Sequence, residues 1–78
     1  MEQLKVKSFG LLVDIIGNET IDLDFVGNTD ELRISLIALY PRLKHLTFSV
    51  AVNKKIVNHV TALHLGDEIA LLPPFSGG

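Results

Sequence analysis

The residues best suited to chemistry lie at the carboxyl end of this 78-residue chain. In order they are Pro73, Pro74, Phe75, Ser76, Gly77 and Gly78. The terminal carboxyl group has a pKa of about 3.5, so at neutral pH it is an ionised oxygen nucleophile. Six extended residues span roughly 20 Å, and the prolines end the preceding strand because they lack an amide donor. The segment predicts a flexible, extended reactive tail, residues 73–78, with Gly78 as the reacting residue. The alternative is a frayed terminus with no function.

No comparable site is predicted in the rest of the chain. Asp22 and Asp24 alternate with apolar residues, which places them on the solvent face of a strand and not in a catalytic pair. His45, His59 and His64 lack the spacing of a zinc site, and no metal site is predicted. The chain has no cysteine, which excludes disulfides, cysteine-based metal sites and a cysteine-borne sulfur.

Composition indicates one small globular domain. Hydrophobic residues make up 47% of the chain, which favours a packed core over disorder. The net charge of −2 gives no electrostatic reason to expect a nucleic-acid partner. The amino-terminal residues lack the apolar core of a signal peptide, and no apolar run approaches the length of a membrane span. We therefore expect a cytoplasmic protein without a membrane partner.

Two strands and a short helix are predicted in the first third of the chain. Leu4 and Val6 alternate with lysines and predict a first strand with its apolar side facing inward. Residues 11–16 form an apolar group that predicts one or two helical turns closed by Gly17, with a buried hairpin arm as the alternative. Residues 20–25 alternate again, with Ile21, Leu23 and Phe25 on one face, and predict a second strand antiparallel to the first.

One substantial helix of about eleven to thirteen residues follows. Asn28 is suited to cap its amino end, and Glu31 to reach back in a capping box. Pro41 disfavours helical geometry at Tyr40 and so ends the regular helix there. One continuous apolar stripe is predicted along it, formed by Leu32, Leu36, Leu39, Tyr40 and Leu43.

The last third predicts a strand over residues 48–52, a turn at 53–55, a short returning arm at 55–57 and a final strand over 68–72. The final strand is apolar on both faces, so it lies at the centre of a sheet or is covered on its outer face. Ala70 and Leu72, opposite in phase to Ile69 and Leu71, are candidates for a partner-binding patch that leads into the tail. Coverage by loops of the same chain is the equal alternative.

This order of elements and three local motifs resemble the MoaD/ThiS family of ubiquitin-like sulfur carriers, and within it the small subunits of molybdopterin synthase (MoaD). The motifs are residues 50–53 (VAVN), 65–71 (LGDEIAL) and 73–78 (PPFSGG). The chain departs from the family pattern at Phe75, where valine is common, and at Lys54 and Lys55, where a glycine–glutamate turn is common. The resemblance implies an α+β fold: a β-grasp domain over residues 1–72, with a mixed four- to five-stranded sheet packed on one main helix.

The resemblance also implies a mechanism. In such carriers an E1-like activating enzyme uses ATP to adenylate the terminal glycine, and an external sulfur donor converts the adenylate to a thiocarboxylate. Gly78 would then donate sulfur to a cyclic pterin precursor, forming the molybdopterin dithiolene. Gly77, Ser76, Pro74 and Pro73 would thread the tail into the large subunit of the synthase, where catalysis is expected. No cofactor would be bound to the carrier itself.

The same resemblance implies a contact surface on the large subunit. Phe75, Leu72 and Ala70 are the residues predicted to bind it. Two alternatives stay open: a ThiS-like carrier for another pathway, and a ubiquitin-like modifier or interaction module.

Overall fold

The computed structural model describes residues 2–73. Five strands and two α-helices follow one another in the order β1 (Gln3–Ser8), α1 (Leu11–Ile16), β2 (Thr20–Asp24), α2 (Thr29–Leu39), β3 (Ser49–Val52), β4 (Lys55–Val57) and β5 (Glu68–Leu72). A 3₁₀ turn, Pro41–His45, lies between α2 and β3. None of the helices in this range has the length and apolar character that crossing a membrane requires.

The strands form one mixed sheet in the order β2-β1-β5-β3-β4. β1 pairs with β2 antiparallel and with β5 parallel, while β3 pairs antiparallel with both β4 and β5. The final strand is therefore central, which explains why its sequence is apolar on both faces. This arrangement, one long helix and a mixed sheet, is the ubiquitin-like β-grasp that the sequence predicted.

The core lies between the sheet and α2, and the alternation read from the strands decides which side chains enter it. Leu4 and Val6 of β1 and Ile69 and Leu71 of β5 are at most 1% exposed. From α2, the core receives Leu32 and Leu36. Burying one such side chain contributes about 1.5–3 kcal/mol relative to leaving it in water. Because side chains alternate between the two faces of a strand, a shift of β1 by one residue against β5 would turn its apolar side chains away from the core.

The apolar group at residues 11–16 is a helix, as predicted, and not a hairpin arm. Leu12 and Ile16 are its buried residues, and Gly17 ends it with a φ of 90° while its amide donates to Val13 O. The cap of α2 is also confirmed, since Asn28 Oδ1 accepts from the Glu31 amide at 2.9 Å. The Glu31 carboxylate reaches back one residue further than in a capping box, to the Gly27 amide.

Two predicted core positions are wrong. β2 ends at Asp24, so Phe25 lies beyond the strand and is 38% exposed. Leu39 is 58% exposed although it belongs to the apolar stripe of α2. The buried arc of the helix is rotated toward Tyr40 and Ile37, which pack against the core, and Leu39 falls at the margin of that arc.

Candidate functional site at the tail base and outer sheet face

The tail begins where β5 ends. Leu72 is the last residue of the strand, and Pro73, which is half-buried, follows it. The ring of Pro73 lies against Gly10, in the connection between β1 and α1: a Cβ built on Gly10 would meet Pro73 Cγ at 3.0 Å. Because β1 and β5 run parallel, the end of β1 lies beside the end of β5. This contact fixes where the tail leaves the domain.

Gly10 meets two requirements at this point that other residues meet poorly. Its backbone has φ 59° and ψ −138°, a combination that residues with a Cβ rarely adopt. The absent side chain also leaves room for the proline ring. In the sequence, Gly10 marked only a break between two elements, and nothing there indicated the contact with Pro73.

The face of the sheet that points away from α2 carries an apolar patch beside the tail base. Ala70 is paired in register with Ala51, and Ala51 with Ile56, so the three side chains form a row across β5, β3 and β4. Leu72 lies on the same face, paired with Ser49. Ala51 is buried, Ala70 and Leu72 are half-buried, and Ile56 is 46% exposed. We call these four apolar residues, Ala51, Ile56, Ala70 and Leu72, the outer patch.

Charged groups border the outer patch on its β1 side. Lys7 is the register partner of Ala70, and its Nζ lies 3.7 Å from Glu68 Oε2. Both side chains are about half exposed, so this ion pair contributes little to stability. The result is an apolar centre with a polar rim, the usual composition of a protein-binding surface.

A second group of residues fixes the start of β5. The two-residue turn between β3 and β4 consists of Asn53 and Lys54, both with positive φ, as in a type I′ turn. Asn53 Nδ2 donates to Asp67 Oδ1 at 3.0 Å, and Asn53 Oδ1 accepts from the Glu68 amide at 2.9 Å. The His64 amide donates to Asp67 Oδ2 at 2.8 Å. We call this the Asn53–Asp67 clamp.

The clamp gives a structural role to two of the sequence motifs, because Asn53 belongs to residues 50–53 and Asp67 to residues 65–71. The hydrogen bond from Asn53 holds the pKa of Asp67 below its ordinary value, with further lowering from the His64 amide and the nearby imidazole. Asn53 and Asp67 lie at the end of β5 away from Pro73, where their hydrogen bonds hold the start of the strand. Among residues 2–73, no group of three or more histidine and acidic side chains is arranged to hold a metal ion.

The described part of the chain contains three of the predicted site residues. Ala70 and Leu72 share the outer patch, and Pro73 lies at the tail base. Five predicted site residues, Pro74, Phe75, Ser76, Gly77 and Gly78, lie outside the described residues, and their roles stay predictions. Sequence reasoning missed three further members of the site. These are Gly10, Ala51 and Ile56: loop packing brings Gly10 against Pro73, and strand register places Ala51 beside β5 and Ile56 one strand further out.

Comparison with known proteins supports the resemblance to the MoaD/ThiS family. A family model described as the ThiS family matches residues 6–78. The chain is 34% identical over 82 residues to a molybdopterin synthase sulfur carrier subunit of Chlamydomonas reinhardtii, an alignment that covers 97% of this chain and 99% of that protein. It is 32% identical over 84 residues to the protein of the same description in Caenorhabditis elegans, with both chains fully covered.

Among solved structures, the small archaeal modifier protein 1 of Methanosarcina acetivorans is similar. It superposes with a TM-score of 0.80 at 27% identity, covering 100% of this chain and 98% of that one. The motifs, the fold and the full-length matches agree, and the chain belongs to the ThiS family.

Proposed function

We propose that this protein is the sulfur carrier subunit of a molybdopterin synthase and that Gly78 carries the sulfur. The observation that supports this most directly is the full-length match to two proteins of that description, at 34% and 32% identity. The ThiS-family match reaches residue 78, so it includes both terminal glycines. An apolar patch beside the tail base suits a protein whose tail works inside a partner.

The chemistry requires two steps on Gly78. A carboxylate oxygen attacks the α-phosphorus of ATP and pyrophosphate leaves, giving an acyl-adenylate. A sulfur nucleophile from an external donor then attacks the carbonyl carbon and AMP leaves, giving a thiocarboxylate. The chain has no cysteine to carry a transferable sulfur, which supports an external sulfur donor; the activating groups would belong to a separate enzyme. Since ATP is consumed, we expect loading by an E1-like enzyme in the cytoplasm.

The loaded carrier then delivers its sulfur to a cyclic pterin precursor in the large subunit, which supplies the catalytic groups. Each transfer returns Gly78 to a carboxylate, with water supplying the oxygen, so two transfers complete one dithiolene. We propose that Pro73 and Pro74 lower the conformational entropy lost on insertion. Gly77 and Gly78 would fit a narrow channel because they have no Cβ. Ser76 would lie between these two pairs in the threaded tail.

Intact-protein mass spectrometry tests the carrier role. The native chain, without a carboxyl-terminal tag, is incubated with an activating enzyme, ATP and a sulfur donor. We expect a gain of about 16 Da, the replacement of one oxygen by sulfur. The matched control deletes Gly78 alone, and the gain should then vanish. A wild-type mass that stays constant with several activating enzymes would exclude the proposal.

Partner binding tests the surface separately. Phe75→Ala should weaken binding to the large subunit by more than about 1 kcal/mol, the usual threshold for a significant interface residue. Phe25→Ala is the matched control, because Phe25 is exposed at the far end of the sheet from Pro73. Calorimetric titration measures both variants. Equal affinities for wild type and Phe75→Ala would refute the anchoring role.

A second candidate function is protein modification, in which Gly78 forms an isopeptide bond with lysine. The similarity to a small archaeal modifier protein, at 27% identity and a TM-score of 0.80, favours keeping it. Both functions begin with adenylation of Gly78, so the next product separates them. Covalent conjugates that resist thiols and require Gly78 indicate a modifier, whereas a free thiocarboxylate indicates a carrier. Transfer to a different acceptor would indicate a carrier for another pathway.

A further inference from the structure

β2 is an edge strand whose backbone is available for pairing. Within residues 2–73 it pairs with β1 alone. The ladder is extended at both ends, by Ser8 N donating to Glu19 O and by Phe25 N donating to Glu2 O. Hydrogen-bonded pairs alternate in an antiparallel ladder, so Ile21 and Leu23 are also bonded to β1.

It follows that the residues between them direct their backbone groups away from β1. These residues are Thr20, Asp22 and Asp24, and all three are exposed. Their amide and carbonyl groups form a row along the free edge of the sheet. Such a row is a template for a further strand.

An apolar groove lies directly beside this edge on the helix side. Its volume is about 290 Å³, and it lies between β2 with its following loop and the outer margin of α2.

 The residues that line the β2 groove are Leu23, Asp24, Val26, Ser35, Ala38 and Leu39. Leu39 thus borders an open groove at the margin of the core.

The opposite face of the same edge is acidic. Asp22 and Asp24 alternate with the inward-facing Leu23, so their carboxylates lie on the side of the sheet away from α2. Across the sheet, Asp22 is paired with Lys5, whereas Asp24 is paired with the uncharged Gln3. An added strand would therefore meet apolar surface with one set of alternate side chains and carboxylates with the other.

A second copy of this chain fits the edge poorly. Pairing of two β2 strands about a twofold axis at Asp22 would place Asp22 against its own copy and Asp24 opposite Thr20, with repulsion at the centre. Antiparallel pairing with β4 of another copy, which keeps the helices of both copies on one side of the sheet, fails for a different reason. In β4, Ile56 shares the outer face with Ala51 and would lie beside the carboxylates, while Lys55 is on the helix side.

We propose that the β2 edge binds an extended peptide of a partner protein, with apolar and basic residues in alternation. The apolar side chains would enter the groove between β2 and α2, and the lysine or arginine side chains would lie beside Asp22 and Asp24. The peptide backbone would pair with Thr20, Asp22 and Asp24. This surface is separated from β5 by β1, so it is distinct from the outer patch and the tail base.

Nuclear magnetic resonance with a synthetic peptide tests the proposal. The probe is a capped heptapeptide of alternating valine and lysine, added to the full chain at low ionic strength. Amide hydrogen exchange should slow at Thr20, Asp22 and Asp24, which gain partners, and should change little at Ile21 and Leu23, which already have them. The control peptide replaces each lysine with glutamate and should bind at least tenfold more weakly.

Matched variants separate the three parts of the surface. Asp22→Asn with Asp24→Asn should weaken binding about three- to tenfold, because two exposed ion pairs are lost. Asp22→Pro should weaken it beyond Asp22→Asn, because proline also removes a free-edge donor without removing a bond to β1. Circular dichroism confirms that each variant is folded.

The groove is tested on α2, where substitution of exposed residues is well tolerated. Ala38→Gln should reduce affinity by filling the groove, whereas Ile34→Gln, at a position 66% exposed and outside the groove, should not. Three results would overturn the proposal: equal binding of the glutamate peptide, protection at β4 instead of β2, or no spectral change at millimolar peptide.

Discussion

The contact between Gly10 and Pro73 makes a prediction about the tail base that can be worked through quantitatively. Gly10→Ala adds a Cβ to a backbone with φ 59° and ψ −138°, which costs about 1–3 kcal/mol. The same Cβ lies 3.0 Å from Pro73 Cγ, and displacing the ring adds about 1 kcal/mol or more. We expect a total loss of roughly 2–4 kcal/mol, a large part of the stability of so small a domain.

Urea denaturation of a double-mutant cycle separates the two contributions. Pro73→Ala removes the ring atom that the new Cβ meets, so the double variant should recover about 1 kcal/mol of the loss. Gly17→Ala is the control, because Gly17 has a φ of 90° but nothing within 4 Å of its Cβ position. It should cost about 1–2 kcal/mol and show no coupling to Pro73.

The cycle can also refute the reasoning. A coupling energy below about 0.5 kcal/mol between Gly10→Ala and Pro73→Ala would mean that the ring does not constrain this position. The tail would then leave the domain without support from the connection between β1 and α1.

Three further predictions concern the frame around the site. Lys54→Gly should stabilise the protein to urea by about 0.5–1 kcal/mol, since Lys54 has a φ of 72° that glycine adopts without strain; a loss of stability would contradict the turn assignment. The pKa of Asp67 is lower in the folded state, so the unfolded chain binds more protons in acid and stability falls below about pH 4. Asp67→Asn should remove this part of the decline in urea titrations at successive pH values, and an unchanged slope would contradict it. Leu36→Ala should cost about 2–5 kcal/mol, whereas Leu39→Ala, at a position 58% exposed, should cost less than about 1 kcal/mol; equal losses would place Leu39 in the core.

The sequence predicted the order of the elements well because the signals were local. Alternation placed Leu4 and Val6 in the core, and Asn28 marked the start of α2. The apolar character of β5 on both faces left two alternatives, a central strand or a covered outer face, and the strand order shows that β5 is central. The predictions for Phe25 and Leu39 were wrong because the length of a strand and the rotation of a helix against a sheet depend on tertiary packing, and a periodic sequence pattern carries no information about that packing.

The site was predicted only where the sequence itself carries the chemistry. The phase of Ala70 and Leu72 could be read directly from the alternation in β5, whereas the roles of the two terminal glycines stay predictions. Gly10, Ala51 and Ile56 could not be predicted, because their places around the tail base and the outer patch depend on strand order and register, which are long-range properties. The division into a domain at residues 1–72 and a tail at 73–78 stays a prediction.

The central place of β5 has a consequence for how the protein matures. β1 with β2, and β3 with β4, are each paired without it, and within the described residues β5 joins these two halves of the sheet. During synthesis, the ribosome releases β5 after the four strands that it connects, so the sheet closes late. The segment that carries the terminal glycines follows this strand directly. An incompletely folded chain therefore lacks the joined sheet and the contact of Pro73 with Gly10. Under the proposed function, an activating enzyme that recognises the folded surface would select against immature chains.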